Sequence, residues 1–134
     1  MASKVVEETI QDYLAANWTD SAIFTENLEQ ETPVDGTPFI ILQFPAMSVI
    51  RLAVSNRTYA EEGGFRIVIN LRRGEGVQRM RDWGEQLATL FRDVRVGEVE
   101  CLVTTEPFTD DESESGSYFS GTMVCNFRRV WSEV

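Results

Sequence analysis

The chain has 134 residues, of which 43% are apolar and 10% aromatic, a formal net charge of −10 and no histidine. That length holds one domain, spanning 1–134, with enough apolar material for a core without disulfide staples. The acidic balance argues against autonomous nucleic-acid binding, which draws its affinity from Lys and Arg displacing counterions from phosphate. No stretch approaches the ~20 apolar residues of a membrane span and no signal-peptide pattern opens the chain, so a soluble, cytoplasmically made protein is expected.

The first predicted element is a helix capped by Ser3 and running to about Asn17, with Val6, Ile10, Tyr13 and Leu14 on one face. Trp18 leads into a polar loop broken by Pro33, Gly36 and Pro38, with a short extended piece at 23–25. The uninterrupted apolar run at 38–44 reads as a strand buried on both faces, Pro45 ends it, and 47–56 reads as the next strand. Residues 57–64 read as a turn or extended loop. In 65–73, Phe65, Ile67, Ile69 and Leu71 alternate with Arg66, Val68, Asn70 and Arg72, the signature of a half-buried strand.

A second helix follows over 77–91, with Val77, Met80, Trp83, Gly84, Leu87, Leu90 and Phe91 on one stripe. Two last strands, 98–108 and 117–131, flank an acidic, apolar-free loop. A hairpin centred near residue 113 sets Cys101 roughly opposite Cys125, which makes a disulfide conceivable; buried free thiols are the expectation in a cytosolic chain. The order α-β-β-β-α-β-β predicts an α+β fold with no repeat and no second domain.

Charge is unevenly spread. Residues 1–35 hold eight acids and only Lys4, 36–50 hold no charge, 51–95 hold nine Arg and six acids, and 96–134 hold eight acids and two Arg. An acidic protein with one arginine-rich segment suits head-to-tail self-complementation, one subunit's basic face meeting the next one's acidic face. Solvated surface charge is the plainer reading. Of the twelve basic residues eleven are Arg, a residue enriched at protein interfaces where Lys is depleted.

Catalytic chemistry finds little footing. Without histidine there is no Ser-His or Cys-His nucleophile and no ordinary transition-metal site. The glycines of 74–76 match no phosphate-binding loop. Glu61 and Glu62 beside Gly63–Gly64, and the cluster Asp110, Asp111, Glu112 and Glu114, are the paired-carboxylate candidates, but neither has the apolar surroundings that raise a carboxyl pKa for acid catalysis. The acidic loop lacks the spacing of a calcium loop. The expectation is a non-enzyme without cofactor or metal.

An N-terminal helix, the loop NWTDSAIFTEN, the strand start TPFIILQF, the run GGFRIVINLRRGEG, the helix RDWGEQLATLF and the segment SGTMVCNFRRVW follow one another in an order that resembles the tail terminator proteins of siphophages and their prophage relatives. The segment 64–91 carries the likeness best; nearly the whole chain shares the layout. The resemblance implies a mixed, mainly antiparallel sheet with both helices on one face. It also implies a homo-oligomeric ring, typically a hexamer, that caps the finished tail tube, ends its polymerisation and offers the surface where the head joins. Its partners are then the chain itself, the tail tube protein and a head-completion or neck protein. DNA passes through such a ring without being read, and the place is the head-proximal end of the virion tail after assembly in the host cytoplasm.

Within this reading Arg66, Arg72 and Arg73 are the candidate subunit contacts. Glu61 and Glu62 in 57–64, and Asp110, Asp111, Glu112 and Glu114 in 109–117, lie in candidate mobile assembly loops. Two alternatives stand beside it: another neck or tail component (tail completion, head closure or tube subunit), and a monomeric acidic adaptor. An adaptor binds a basic partner with strong salt dependence, whereas a ring subunit self-associates without one.

Overall fold

Ser3 starts the first helix, α1 (Lys4–Asn17), by accepting a hydrogen bond from the Val6 N–H at 3.5 Å, and Trp18 ends it by turning to extended backbone. The computed structural model describes residues 3–25, 37–53, 57–72, 77–105 and 118–133. Six strands follow the helix in a single sheet: β1 (Ala22–Thr25), β2 (Phe39–Arg51), β3 (Arg57–Arg72), β4 (Val94–Val96), β5 (Val99–Thr104) and β6 (Tyr118–Glu133). The second helix, α2 (Val77–Phe91), joins β3 to β4. Across the sheet the strands lie β1-β2-β3-β6-β5-β4, parallel between β1 and β2 and antiparallel elsewhere. The fold is α+β, as the sequence indicates.

Period two decides which residues meet the helices. Phe65, Ile67, Ile69 and Leu71 of β3, with Met123, Cys125 and Phe127 of β6, point to one face and are buried there with Val6, Ile10 and Leu14 of α1 and Met80, Trp83, Leu87 and Phe91 of α2. Both helices therefore cover the same face. Phe65 sits at the middle of this layer, against Phe44, Phe91 and Phe127 with ring centroids 5.9, 5.0 and 6.4 Å away. The helices are joined by Trp18 edge-on to Trp83 at 5.1 Å and by the Tyr13 hydroxyl, which donates to the Leu90 carbonyl at 2.9 Å. That carbonyl lies in the last turn of α2, where no intrahelical donor remains.

Three stretches differ from their sequence reading. Residues 38–44 and 47–56 are not two strands: β2 runs unbroken to Arg51, with a register shift between Gln43 and Ala46. Pro45 has no N–H to give a ladder, and a bulge is where a sheet accommodates that. The bulge also switches the facing parity. Before it Ile40 and Leu42 lie opposite Ile69 and Ile67; after it Met47 and Val49 lie opposite Gly63 and Glu61.

Residues 57–64, expected as a turn or loop, are the first half of β3 and pair continuously with β6 from Arg57–Glu133 to Gly64–Asn126. Gly63 and Gly64 suggested a turn, yet neither has positive φ; among the described residues the left-handed positions are Gly97 and Asp93. A glycine pair flanked on both sides by paired strands costs some stability and does not end a strand. Glu61 and Glu62 are thus strand residues. The short strand β4, absent from the sequence reading, pairs with β5 through a two-residue loop that Gly97 opens at φ 59°. The acidic loop 109–117 falls outside the described residues.

Removing the ring at the centre of the aromatic layer leaves a cavity that flat neighbours cannot close. Phe65→Ala is expected to lower the unfolding free energy by about 3–5 kcal/mol, read from the urea midpoint at unchanged slope.

Candidate functional site: the assembly surfaces

The face of the sheet away from the helices is open. Register places Arg66 and Arg72 on it, with Ile41, Val68, Thr122 and Val124. Both arginines are exposed. Arg66 donates from Nε to the Gln43 side-chain oxygen across the β2–β3 pair, and Arg72 stands at the last position of β3. Farther along, Arg128 comes within 3.0 Å of Glu62, in register opposite both Glu62 and Glu100. The structure therefore brings Arg66, Arg72 and Glu62 onto one face. It puts Glu61 on the other. Arg73, Asp110, Asp111, Glu112 and Glu114 lie outside the described residues.

Glu61 is fully buried on the helix face. Its carboxylate accepts from the Ser3 N–H at 2.8 Å and the Ser3 hydroxyl at 2.7 Å, so the residue that caps α1 is itself tied to β3. Arg129, opposite Glu61 on β6, brings Nη1 to 3.9 Å of that carboxylate, donates from Nε to Glu98 at 3.1 Å and lays its guanidinium 4.4 Å from the Trp131 ring. A buried carboxylate is tolerated only when paired and hydrogen-bonded, and this one is both. The sequence carries a signal for the pair: Glu61 continues the parity of Phe65 and Ile67, and Arg129 that of Cys125 and Phe127. Opposite charges at matching core-parity positions of adjacent strands mark a buried ion pair.

Beyond the Glu61–Arg129 row the strands go on. Arg51, Tyr59 and Trp131 form the next row on that face, with Tyr59 and Trp131 stacked at 5.6 Å. On the open face Ile50, Ala60 and Val130 lie in one cross-strand row. Val49, Ile50, Leu52 and Val130 are between 43% and 49% exposed, so half of the eight large apolar residues exposed among the described ones gather at this end of the sheet. Apolar residues exposed close together are a feature of interaction surfaces. No sequence pattern singled out these residues, because strand alternation alone does not say where the helical cover stops.

A shallow cleft of about 590 Å3 opens between the end of α1 and the outer side of α2, lined by Asn17, Trp18, Asp82, Glu85, Gln86 and Leu90. Asp82 accepts from the Gln78 amide at 3.1 Å. The described residues hold no cluster of metal-ligating side chains. Cys101 and Cys125 are free and buried, one turn of the ladder apart: Cys101 faces Phe127, and after a register shift Thr104 faces Cys125. Cys125 donates its thiol to the Phe91 carbonyl at 3.9 Å; interaction between the two neighbouring thiols holds Cys101 below and Cys125 above the ordinary thiol range, with burial adding to the rise at Cys125.

A family model for phage tail terminator proteins matches residues 3–119. The chain belongs to the phage tail terminator family. Membership makes it a structural component of the phage tail, with contacts to other tail and neck components and to its own kind. One solved structure superposes with a TM-score of 0.58 over 96% of this chain and 98% of that one, at 15% identity, which supports the fold alone. No curated protein sequence matches the chain. No helix among the described residues is long and apolar enough to cross a membrane.

Two measurements check this geometry. Glu61→Ala strands the Ser3 donors and the Arg129 charge, and is expected to cost about 3–5 kcal/mol; Ser3→Ala, which removes only the cap, about 1 kcal/mol. Denaturant unfolding separates them. Thiol titration with a water-soluble aromatic disulfide is expected to leave both cysteines unlabelled in the folded protein and to label two equivalents after unfolding.

Proposed function

We propose that this terminator caps the phage tail tube as a closed homo-oligomeric ring of six copies, ends tube polymerisation and forms the surface to which the head attaches. Family membership across residues 3–119 carries the reading. The exposed apolar end of the sheet supports it, since a subunit that stays alone gains nothing from leaving Ile50 and Val130 in water. Six copies carry a formal charge of about −60, which keeps such a ring from gripping the DNA that crosses it. In this reading the ring assembles in the host cytoplasm and stays in the virion at the head-proximal end of the tail. It has no catalytic role. The open-face arginines Arg66 and Arg72, with Arg73, are its subunit contacts.

Light scattering across a concentration series, with and without purified tail tubes, tests this proposal. A discrete species near six times the 15.2 kDa subunit mass, in solution or at tube ends, is the expected result. Long tubes of this chain alone point instead to a tube subunit, and a monomer that ignores tube ends overturns the reading. Ile50→Asp with Val130→Asp is expected to cost the isolated subunit no more than about 1 kcal/mol per site, as exposed strand positions do, while abolishing the six-copy species.

A further inference from the structure

The two layers of this protein carry opposite charge. On the open sheet face the cations Arg66, Arg72, Arg95 and Arg128 outnumber the carboxylates Glu62 and Glu100. On the outer side of the helices, Glu8 and Asp12 of α1 and Asp82 and Glu85 of α2 stand exposed, against the cations Lys4, 3.8 Å from Glu8, Arg79, laid over the Trp83 ring, and Arg81. The cleft between the helices is where this acidic side becomes concave. It is lined by the apolar Trp18 and Leu90, the carboxylates Asp82 and Glu85 and the amides Asn17 and Gln86.

Carboxylates beside an indole, with amide oxygens at hand, suit a guanidinium. The planar fork of Arg pairs with a carboxylate through two bonds while its stem and π-face lie on apolar surface. Glu85 makes no ion pair among the described residues, and neither does Arg72. Since the cleft and Arg72 lie on opposite layers, no single subunit brings them together. Between two copies they meet in a head-to-tail contact, the kind that repeats around a closed ring.

We infer that the cleft between α1 and α2 receives the arginine-bearing end of β3 from a second copy of this chain, with Arg72 of one subunit set against Asp82 and Glu85 of the next. The inference rests on the ring proposed above and names the surfaces that meet in it. Neither surface needs to rearrange, because β3 and α2 are regular elements. Arg66, about 20 Å farther along the same strand at 3.4 Å per residue, lies beyond the reach of the cleft and contacts the neighbour elsewhere.

Charge reversal with rescue tests the contact. Arg72→Glu, and separately Asp82→Arg with Glu85→Arg, are each expected to raise the concentration at which the six-copy species half-dissociates by at least about tenfold, since like charges then face each other. Circular dichroism and unchanged unfolding midpoints show that each variant folds. A single chain carrying all three changes restores the pairing with its signs exchanged, and is expected to recover assembly to within about threefold of the unaltered protein. If either reversal assembles at the unaltered concentration, or if the triple variant fails to recover, this contact is wrong while the ring stands. If the unaltered protein forms no closed species alone or at tube ends, the ring and this contact both fall.

Discussion

The sheet is longer than its cover. At about 3.4 Å per residue the sixteen-residue strands β3 and β6 reach roughly 54 Å, whereas helices of fourteen and fifteen residues reach about 21–23 Å. On the face the helices cover, the buried residues of β3 run from Leu71 to Glu61, and the end beyond Glu61 lies past the helical cover. Much of the rest of the molecule follows from that mismatch. The apolar layer centred on Phe65 ends at a row where a carboxylate, a guanidinium and a helix cap meet, and past it the sheet exposes Ile50 and Val130.

The Glu61 junction marks the end of the two-layered part of the molecule. Inside it, burial of aromatic and aliphatic side chains supplies the stability of an ordinary small domain. At it, Glu61 fixes the first turn of α1 to β3, and Arg129 spans from Glu61 to Glu98. Outside it, backbone pairing among β2, β3 and β6 continues without a second layer. A three-strand extension with apolar residues on both faces is marginal as a free structure and gains when a neighbour covers it.

Opposite charge on the two layers complements this apolar end. Apolar burial gives a contact its strength, and complementary charge gives it direction and register. In the ring proposed above, an excess of positive charge on the sheet face disfavours sheet-against-sheet contact and favours a head-to-tail one. That bias matters for a ring, in which the same two patches must repeat at every joint.

How much of this was written in the residues depended on the range of the interaction. Both helices, the alternating half of β3, the α+β class and the family resemblance follow from local spacing: apolar residues three and four apart for α1 and α2, two apart from Phe65 to Leu71. Free, buried thiols were expected from the strand context of Cys101 and Cys125 and from the setting the sequence reading assumed. The sequence misled where a local signal competed with a long-range one. Pro45 and Gly63–Gly64 each look like a break, and each sits inside a strand because paired neighbours supply bonds that propensity cannot foresee. Glu61 and Glu62 looked alike as adjacent loop acids; the pleat sends one into the core beside Ser3 and Arg129 and the other onto the open face. The sequence by itself determined the elements and their apolar faces, because those depend on neighbours a few residues away. Only the tertiary structure decided where the helical cover stops, and with it which carboxylate is buried, which valines are exposed and which charges share a face, because those depend on strands and helices far apart in the chain.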